Sequence, residues 1–278
     1  MRTVPVIGGQ AGRTPQTGWY DYGSIDENNQ NREECRVYEF PSRIASKAQR
    51  DGSGPHRGRG EFFRNLSTEA ISEFGSITET HCYPGTTVLI REEEEPSRVL
   101  FLLEGKVKLS MNSIDGKRLI LAIAWPGEIL GLTSAISGFP HVITAETHFP
   151  CMITSLQRQA FLGFLMHYPM ASQNVMRELS LHYNRTAQQL RTLGLASTAP
   201  AKFARLLLEW CKDGEETKRG VRIQCPLTHG EIGEHIGASR ETISRVMKDF
   251  KSRGLVEQHG SILIVPNLEA LEECDYSI

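Results

Sequence analysis

The segment at positions 228–253, THGEIGEHIGASRETISRVMKDFKSR, constrains this chain more than any other. Thr228 followed three positions later by Glu231 is a capping box, in which hydroxyl and carboxylate each satisfy the other's backbone N–H. The short helix it opens turns Ile232 and Ile236 inward. Gly237 then stands where a tight turn requires positive φ. Ser239 caps a second helix, whose Ile243, Val246, Met247 and Phe250 recur at helical spacing and form one apolar face. Arg240, Glu241, Ser244, Arg245 and Lys248 fall toward the opposite face or its edges. Two helices joined in this way form a helix-turn-helix.

Charge gives that outer face a purpose. The chain carries 31 Lys and Arg against 33 Asp and Glu, a formal net charge of -2, so it has no global attraction for a polyanion. Between positions 238 and 253, however, Arg240, Arg245, Lys248, Lys251 and Arg253 face only Glu241 and Asp249. Positive charge is concentrated where phosphates would lie. An arginine fork matches guanine O6 and N7, and a glutamate accepts from cytosine N4. Arg240 and Glu241 sit in the first turn, the part of a recognition helix that enters the major groove. Beyond Gly254, runs at 255–258 and 262–265 meet at His259-Gly260 and read as a β-hairpin, which makes the unit a winged helix-turn-helix. The candidate DNA-contacting residues are Thr228, Ser239, Arg240, Glu241, Thr242, Ser244, Arg245, Lys248 and, in the wing, His259. An ordinary surface helix would not present the capping box, turn glycine, polar face and hairpin in this order.

The rest of the 278 residues leaves room for a second domain and a tail. Positions 1–60 are polar and poor in aliphatics, and they read as a poorly ordered N-terminal extension. Positions 62–80 read as a short amphipathic helix capped by Ser67 or Thr68. From 81 to about 157 the texture changes to short apolar runs punctuated by Pro84-Gly85, Glu104-Gly105, Asp115-Gly116, Pro126-Gly127 and Gly138. Strands are predicted at 86–91, 99–103, 106–111 and 118–124, with Asp115-Gly116 turning a hairpin. Many short strands at this spacing point to a β-barrel or jelly roll.

A helical link at 158–168 leads to a long helix at 169–195. Along it Met176, Leu179, Tyr183, Thr186, Leu190 and Leu193 are spaced 3, 4, 3, 4, 3. That is a heptad seam, which serves either to pack the helix on its own barrel or to pair it with a second copy as a parallel coiled coil; the pairing implies twofold symmetry. A further helix at 199–210, capped by Ser197 or Thr198, and a charged loop at 212–220 complete the outline. The expected fold is α+β: an extension at 1–60, a sensor-like jelly roll at 61–168, a dimerisation helix at 169–195 and a winged helix-turn-helix at 196–278.

Several functional classes are disfavoured. The longest clean apolar run, 119–125, is far below the roughly 20 residues that span a bilayer. The N-terminus lacks the charged-then-apolar pattern of a secretion signal. Six cysteines, at 35, 82, 151, 211, 225 and 274, include no C-x-x-C pair. The expectation is a soluble cytoplasmic protein with no membrane partner, no catalytic residues and no metal site.

With these motifs in hand, the chain resembles the cyclic-AMP receptor protein / fumarate-nitrate-reduction regulator (CRP/FNR) family over roughly 62–270. The most specific stretch is IGASRETISRVMKDFKSRGLVEQHGSILIV, together with the Gly105 and Pro126-Gly127-Glu128 turns, the long helix and the order of domains. The resemblance implies a cyclic-nucleotide-binding-like jelly roll, a homodimer, and a palindromic DNA site with TGTGA-like half-sites one helical turn apart. It implies that Arg240, Glu241 and Arg245 occupy base-reading positions and that RNA polymerase is a partner. Ser244 beside Arg245 is also the pattern of the fumarate-nitrate branch, whose half-sites differ slightly.

The same resemblance locates a departure. Members that bind cyclic AMP hold its phosphate with a glutamate-bearing glycine turn and an Arg-Ser pair. The corresponding stretch, 131–147 (GLTSAISGFPHVITAET), contains neither arginine nor lysine. Leu132 stands in place of the glutamate and Phe139-Pro140 in place of Arg-Ser. A buried phosphodiester needs a paired cation or several donors, so no tight cyclic-nucleotide binding is expected. Gly131, Leu132, Thr133 and His141 are the candidate effector pocket, with no cofactor predicted. The iron–sulfur branch uses four cysteines, three closely spaced near the N-terminus, whereas only Cys35 and Cys82 lie in that half here. A haem- or redox-responsive regulator of the same family is the alternative, with His81, Cys82 and His148 as conceivable axial ligands; Cys151 reads as core. A cupin-like metal enzyme would need two histidines and a carboxylate converging on a metal, and His81, His141 and His148 form no H-x-H pair.

Overall fold

The structure is a computed structural model that describes residues 61–195 and 198–276. The extension expected at 1–60 lies outside the described residues, apart from its boundary.

A short 3-10 turn, Glu61–Phe63, opens the described chain, followed by α1 (Thr68–Ser76). Ser67 is the cap of α1, accepting the Ala70 N–H at 3.1 Å. The helix is shorter at both ends than the periodicity over 62–80 suggests, for a tertiary reason. Phe62 is fully buried in a cluster with Phe63, Phe74, Phe101, Phe161 and Phe164. Its carbonyl and that of Arg64 accept the Asn174 side-chain N–H groups at 2.8 and 2.7 Å, which holds the turn apart from the helix.

Eight strands follow: β1 (Glu79–Tyr83), β2 (Val88–Ile90), β3 (Arg98–Glu104), β4 (Val107–Asn112), β5 (Arg118–Ala124), β6 (Ile129–Leu130), β7 (Thr144–Thr147) and β8 (Cys151–Gln157). They form two antiparallel sheets, ordered β1-β8-β3-β6 and β2-β7-β4-β5. The four strands read from the sequence occur as β2, β3, β4 and β5. The Asp115-Gly116 turn joins β4 to β5, with Gly116 N–H donating to the Ser113 carbonyl at 2.9 Å. The residues of β1, β6, β7 and β8 are too short or too mixed in pattern to identify alone; their strand character comes from pairing. Thr80 illustrates this, its hydroxyl meeting that of Thr154 at 2.7 Å across the β1–β8 pair. A helix of six residues, α2 (Leu132–Ser137), also escaped the sequence reading.

After α3 (Arg158–His167) comes α4 (Pro169–Leu195), with the bounds expected. Its early turns bury Ala171, Asn174 and Val175 among the described core. Its heptad seam points elsewhere: Met176, Tyr183 and Leu190 are 59, 75 and 64 % exposed. Thr186 is exposed, and Leu179 and Leu193 are half-buried. Barrel packing and an outward seam therefore coexist on different faces of one helix.

Thr198 caps α5 (Ala199–Cys211), accepting from the Ala201 N–H at 3.3 Å. The charged loop expected at 212–220 is corrected: β9 (Glu215–Thr217) and β10 (Gly220–Gln224) form a hairpin. An Arg222–Glu215 pair at 3.1 Å crosses it, and solvent exposure of β9 explains why no hydrophobic alternation marks it. With β11 (Glu257–His259) and β12 (Ile262–Val265) it makes a four-stranded sheet, β11-β12-β10-β9. The helices α6 (His229–Ile236), α7 (Arg240–Ser252) and α8 (Leu268–Tyr276) share one hydrophobic core with α5 and this sheet. Phe203, Leu207, Ile232, Ile236, Ile243, Phe250, Leu263 and Leu271 form the fully buried centre of this domain.

Candidate nucleic-acid interface

The capping box of α6 is complete. The Thr228 hydroxyl accepts the Glu231 N–H at 3.3 Å, and Glu231 Oε2 accepts the Thr228 N–H at 2.9 Å. Gly237 ends the helix at φ 69°, in the left-handed region. Ser239 then starts α7, accepting the Thr242 N–H at 3.2 Å.

On α7, Ile243, Val246, Met247 and Phe250 are buried, while Arg240, Glu241, Ser244, Arg245 and Lys248 are all exposed. The helix is thus fixed by one face and presents the other. The remaining candidates divide. Thr228 and Ser239 are exposed but hold the helix caps, so their hydroxyls serve the local backbone. Thr242 is half-buried and lies 3.1 Å from the Ser239 hydroxyl and 3.5 Å from Arg245 Nη2. His259 is exposed at the end of β11, 3.8 Å from Glu257, on the wing rather than the helix.

The protonation states suit base reading. Glu241 accepts its own backbone N–H and the Ser239 hydroxyl, which together with Arg240 and Arg245 hold its carboxyl below the usual range. It is therefore an acceptor only.

One residue of this face was missed by the sequence reading. His229, the first residue of α6, places Nδ1 3.0 Å from the Ser244 hydroxyl. Burial, with Lys251 and Arg240 nearby, pushes its pKa down, so the ring is neutral around pH 7. The two residues are 15 positions apart on different helices, a pairing that no helical or strand period reveals.

The inner side of α6 meets the barrel. His235 is buried, and its Nδ1 pairs with the Ile120 carbonyl of β5 at 2.8 Å; burial pushes its pKa down to about 4. Gln189 of α4 donates to the His235 carbonyl at 2.7 Å. Glu231 reaches the barrel as well, its Oε1 lying 3.0 Å from Lys108 Nζ. Lys108 also faces Glu146 at 3.7 Å, and Arg118 pairs with Glu146 at 2.9 Å. His148 Nε2 lies 2.6 Å from the Pro226 carbonyl.

Of the candidate effector residues, Gly131 and His141 are neighbours. Gly131 is the left-handed residue before α2, Leu132 is core, and Thr133 is exposed. His141 is buried beside Gly131, its backbone bonded to Glu93 and Glu94; burial lowers its pKa. The fold brings a cation to this stretch from a distance: Arg158 Nε donates to the Ala135 carbonyl at 2.7 Å. That contact is at the C-terminal end of α2, where positive charge complements the peptide dipoles. Of the conceivable haem ligands, His148 is engaged with the Pro226 carbonyl and His81 is exposed beside Glu79 at 3.8 Å. Among the described residues no group of three or more His, Cys, Asp or Glu is placed to hold a metal ion, and no helix is long and apolar enough to cross a membrane.

The Crp-like helix-turn-helix domain family matches residues 201–274, and the cyclic nucleotide-binding domain family matches residues 80–168. The two matches cover both halves of the fold in the order described. The chain belongs to the CRP/FNR family of DNA-binding transcription regulators. One CRP/FNR relative is the CRP-like cAMP-activated global transcriptional regulator of Mycobacterium tuberculosis, 26% identical over 77% of this chain and 95% of that protein. Another is the cAMP-activated global transcriptional regulator CRP of Haemophilus influenzae, 25% identical over 67% of this chain and 85% of that protein. The fold is similar to FixK2 from Bradyrhizobium japonicum, with a TM-score of 0.64 at 21% identity over 73% of this chain and 99% of that one. It is equally similar to a CooA mutant from Carboxydothermus hydrogenoformans, with a TM-score of 0.64 at 20% identity over 76% of this chain and 92% of that one.

Proposed function

We propose that this CRP/FNR regulator acts as a homodimer that reads a palindrome of TGTGA-like half-sites through α7, and that its effector is not cyclic AMP. The observation that carries the reading is the outer face of α7. Arg240, Glu241, Ser244, Arg245 and Lys248 all stand exposed on a helix whose other face is fully packed. Cations there supply phosphate attraction that the chain as a whole, at net charge -2, does not. The exposed heptad of Met176, Tyr183 and Leu190 suits a second copy of the same helix, which would set two readers about a twofold axis.

The relatives named above are cAMP-activated. This chain differs where the nucleotide phosphate would need a partner: Leu132 faces the core, residues 131–147 carry no arginine or lysine, and Arg158 is engaged with the Ala135 carbonyl. The protein works by binding, in the cytoplasm where its DNA lies, with RNA polymerase as the partner that converts occupancy into output.

Anisotropy titrations at fixed salt, with a TGTGA palindrome and a scrambled duplex of equal length, test the reading. We expect the palindrome to bind at least about a hundredfold more tightly, with both affinities falling steeply as salt rises. Equal affinities would sink it. Calorimetry with cyclic AMP should show no heat at micromolar ligand; a micromolar dissociation constant would overturn that part alone.

A further inference from the structure

Ser244 and His229 meet at the reading face in a way that α7 alone would not produce. We propose that His229 is a positioning residue for base reading: it holds the Ser244 hydroxyl, and its protonation state decides whether that hydroxyl meets a base edge as acceptor or donor. The inference rests on the reading of α7 as the recognition helix.

The geometry is specific. Ser244 is exposed on the outer face of α7, next to Arg245 and one turn beyond Glu241 and Arg240. His229 Nδ1 is 3.0 Å from its Oγ. A serine hydroxyl otherwise rotates freely and suits several bases. Pinned by the imidazole, it does not. When the ring is neutral with its proton on Nε2, Nδ1 accepts the Ser244 O–H. The hydroxyl then offers only lone pairs to the groove, which match the amino groups of adenine N6 or cytosine N4. When the ring is protonated, Nδ1–H donates to Oγ. The hydroxyl hydrogen is then free to point outward and matches thymine O4 or guanine O6 and N7. One proton on His229 inverts the hydrogen-bond sense of its neighbour, and no other bond is made or broken.

The surroundings of the ring set its resting state as neutral. The charged groups acting on it are Arg240 and Lys251, both on α7, and both oppose protonation, as does partial burial. On its own helix, the Glu231 carboxylate is committed to the Thr228 backbone and to Lys108. In the free protein the ring is therefore neutral around pH 7. The first helix of a helix-turn-helix crosses the phosphate backbone, and His229 is its first residue. Phosphates there favour the protonated ring, so bound DNA draws the titration toward neutrality.

The test uses the full chain and a set of palindromic duplexes with TGTGA half-sites, in which each base pair in turn takes all four identities. The base pair read by Ser244 is the one whose discrimination is lost in Ser244→Ala. At that pair, the wild type should shift its preference between amino-bearing and carbonyl-bearing edges by about three- to tenfold between roughly pH 6 and pH 8. His229→Ala should remove both the pH shift and most of the preference there, leaving the pair read by Arg245 unchanged. His229→Asn retains an amide near Nδ1 and should restore a preference that no longer changes with pH, which separates positioning from folding. If the Ser244 pair keeps one preference at both pH values and in both His229 variants while palindromes still beat scrambled DNA, the inference is wrong and the reading of α7 stands. If palindromes and scrambled DNA bind alike, the reading itself falls and the inference with it.

Discussion

Arg245 shows what a single residue contributes. It is exposed, and its guanidinium makes a long contact to Thr242 at 3.5 Å, which leaves its fork available to a guanine edge. Arg245→Ala should cost on the order of 1–3 kcal/mol of specific binding and relax one base position, measured by anisotropy across the duplex set. Gly105 makes the opposite point. Its φ is 93°, and a Cβ there would lie 2.5 Å from Cys151 Sγ and 2.6 Å from the Pro150 carbonyl. Gly105→Ala should lower stability by about 2 kcal/mol or more, seen as a reduced urea midpoint with DNA contacts untouched. At this scale the sequence reveals residues whose partners are close along the chain. Arg240, Glu241 and Arg245 follow from helical spacing, and Gly105 from its turn. His229 and His235 do not, because their partners lie 15 and 115 positions away.

Among elements, those that carry their own start and stop signals were readable. α6 has its capping box, α7 its Ser239 cap, α4 its leading Pro169 and the β4–β5 hairpin its Asp115-Gly116 turn. β1, β7, β8 and the β9–β10 hairpin lack such signals, since their hydrogen bonds go to strands distant in the sequence or face water on both sides. The contact between α6 and β5 belongs to this second kind, and it titrates. His235 has its pKa lowered to about 4, below the ordinary histidine value of 6.5. The unfolded chain therefore binds the proton more readily, so stability is full above pH 6.5 and falls as pH drops toward 4. Between about pH 7 and pH 5 the loss should reach about 2 kcal/mol, read from urea midpoints. His235→Gln can still donate to the Ile120 carbonyl and should flatten this dependence; an unchanged slope would show that another group titrates.

For the whole molecule, the question is how one chain becomes a palindrome reader. The seam of α4 is exposed at Met176, Tyr183 and Leu190 along a helix of 27 residues. Tyr183→Asp with Leu190→Asp places like charges across any symmetric pairing. Light scattering should then report a monomer, and affinity for the palindrome should fall to that of a single half-site while the fold persists, since neither side chain supports the monomer core. A dimer that survives both substitutions would move the interface elsewhere.

The joint between barrel and reader has an asymmetry that bears on how such a protein can diverge. On the reader's side it uses particular side chains, His235 and Glu231. On the barrel's side, its most buried bond is to the main-chain carbonyl of Ile120. A carbonyl belongs to every residue type, so this bond does not depend on which side chain stands at position 120. The Lys108–Glu231 and His148–Pro226 contacts, by contrast, depend on the barrel residues that make them, so one tie outlasts substitutions that would loosen the others.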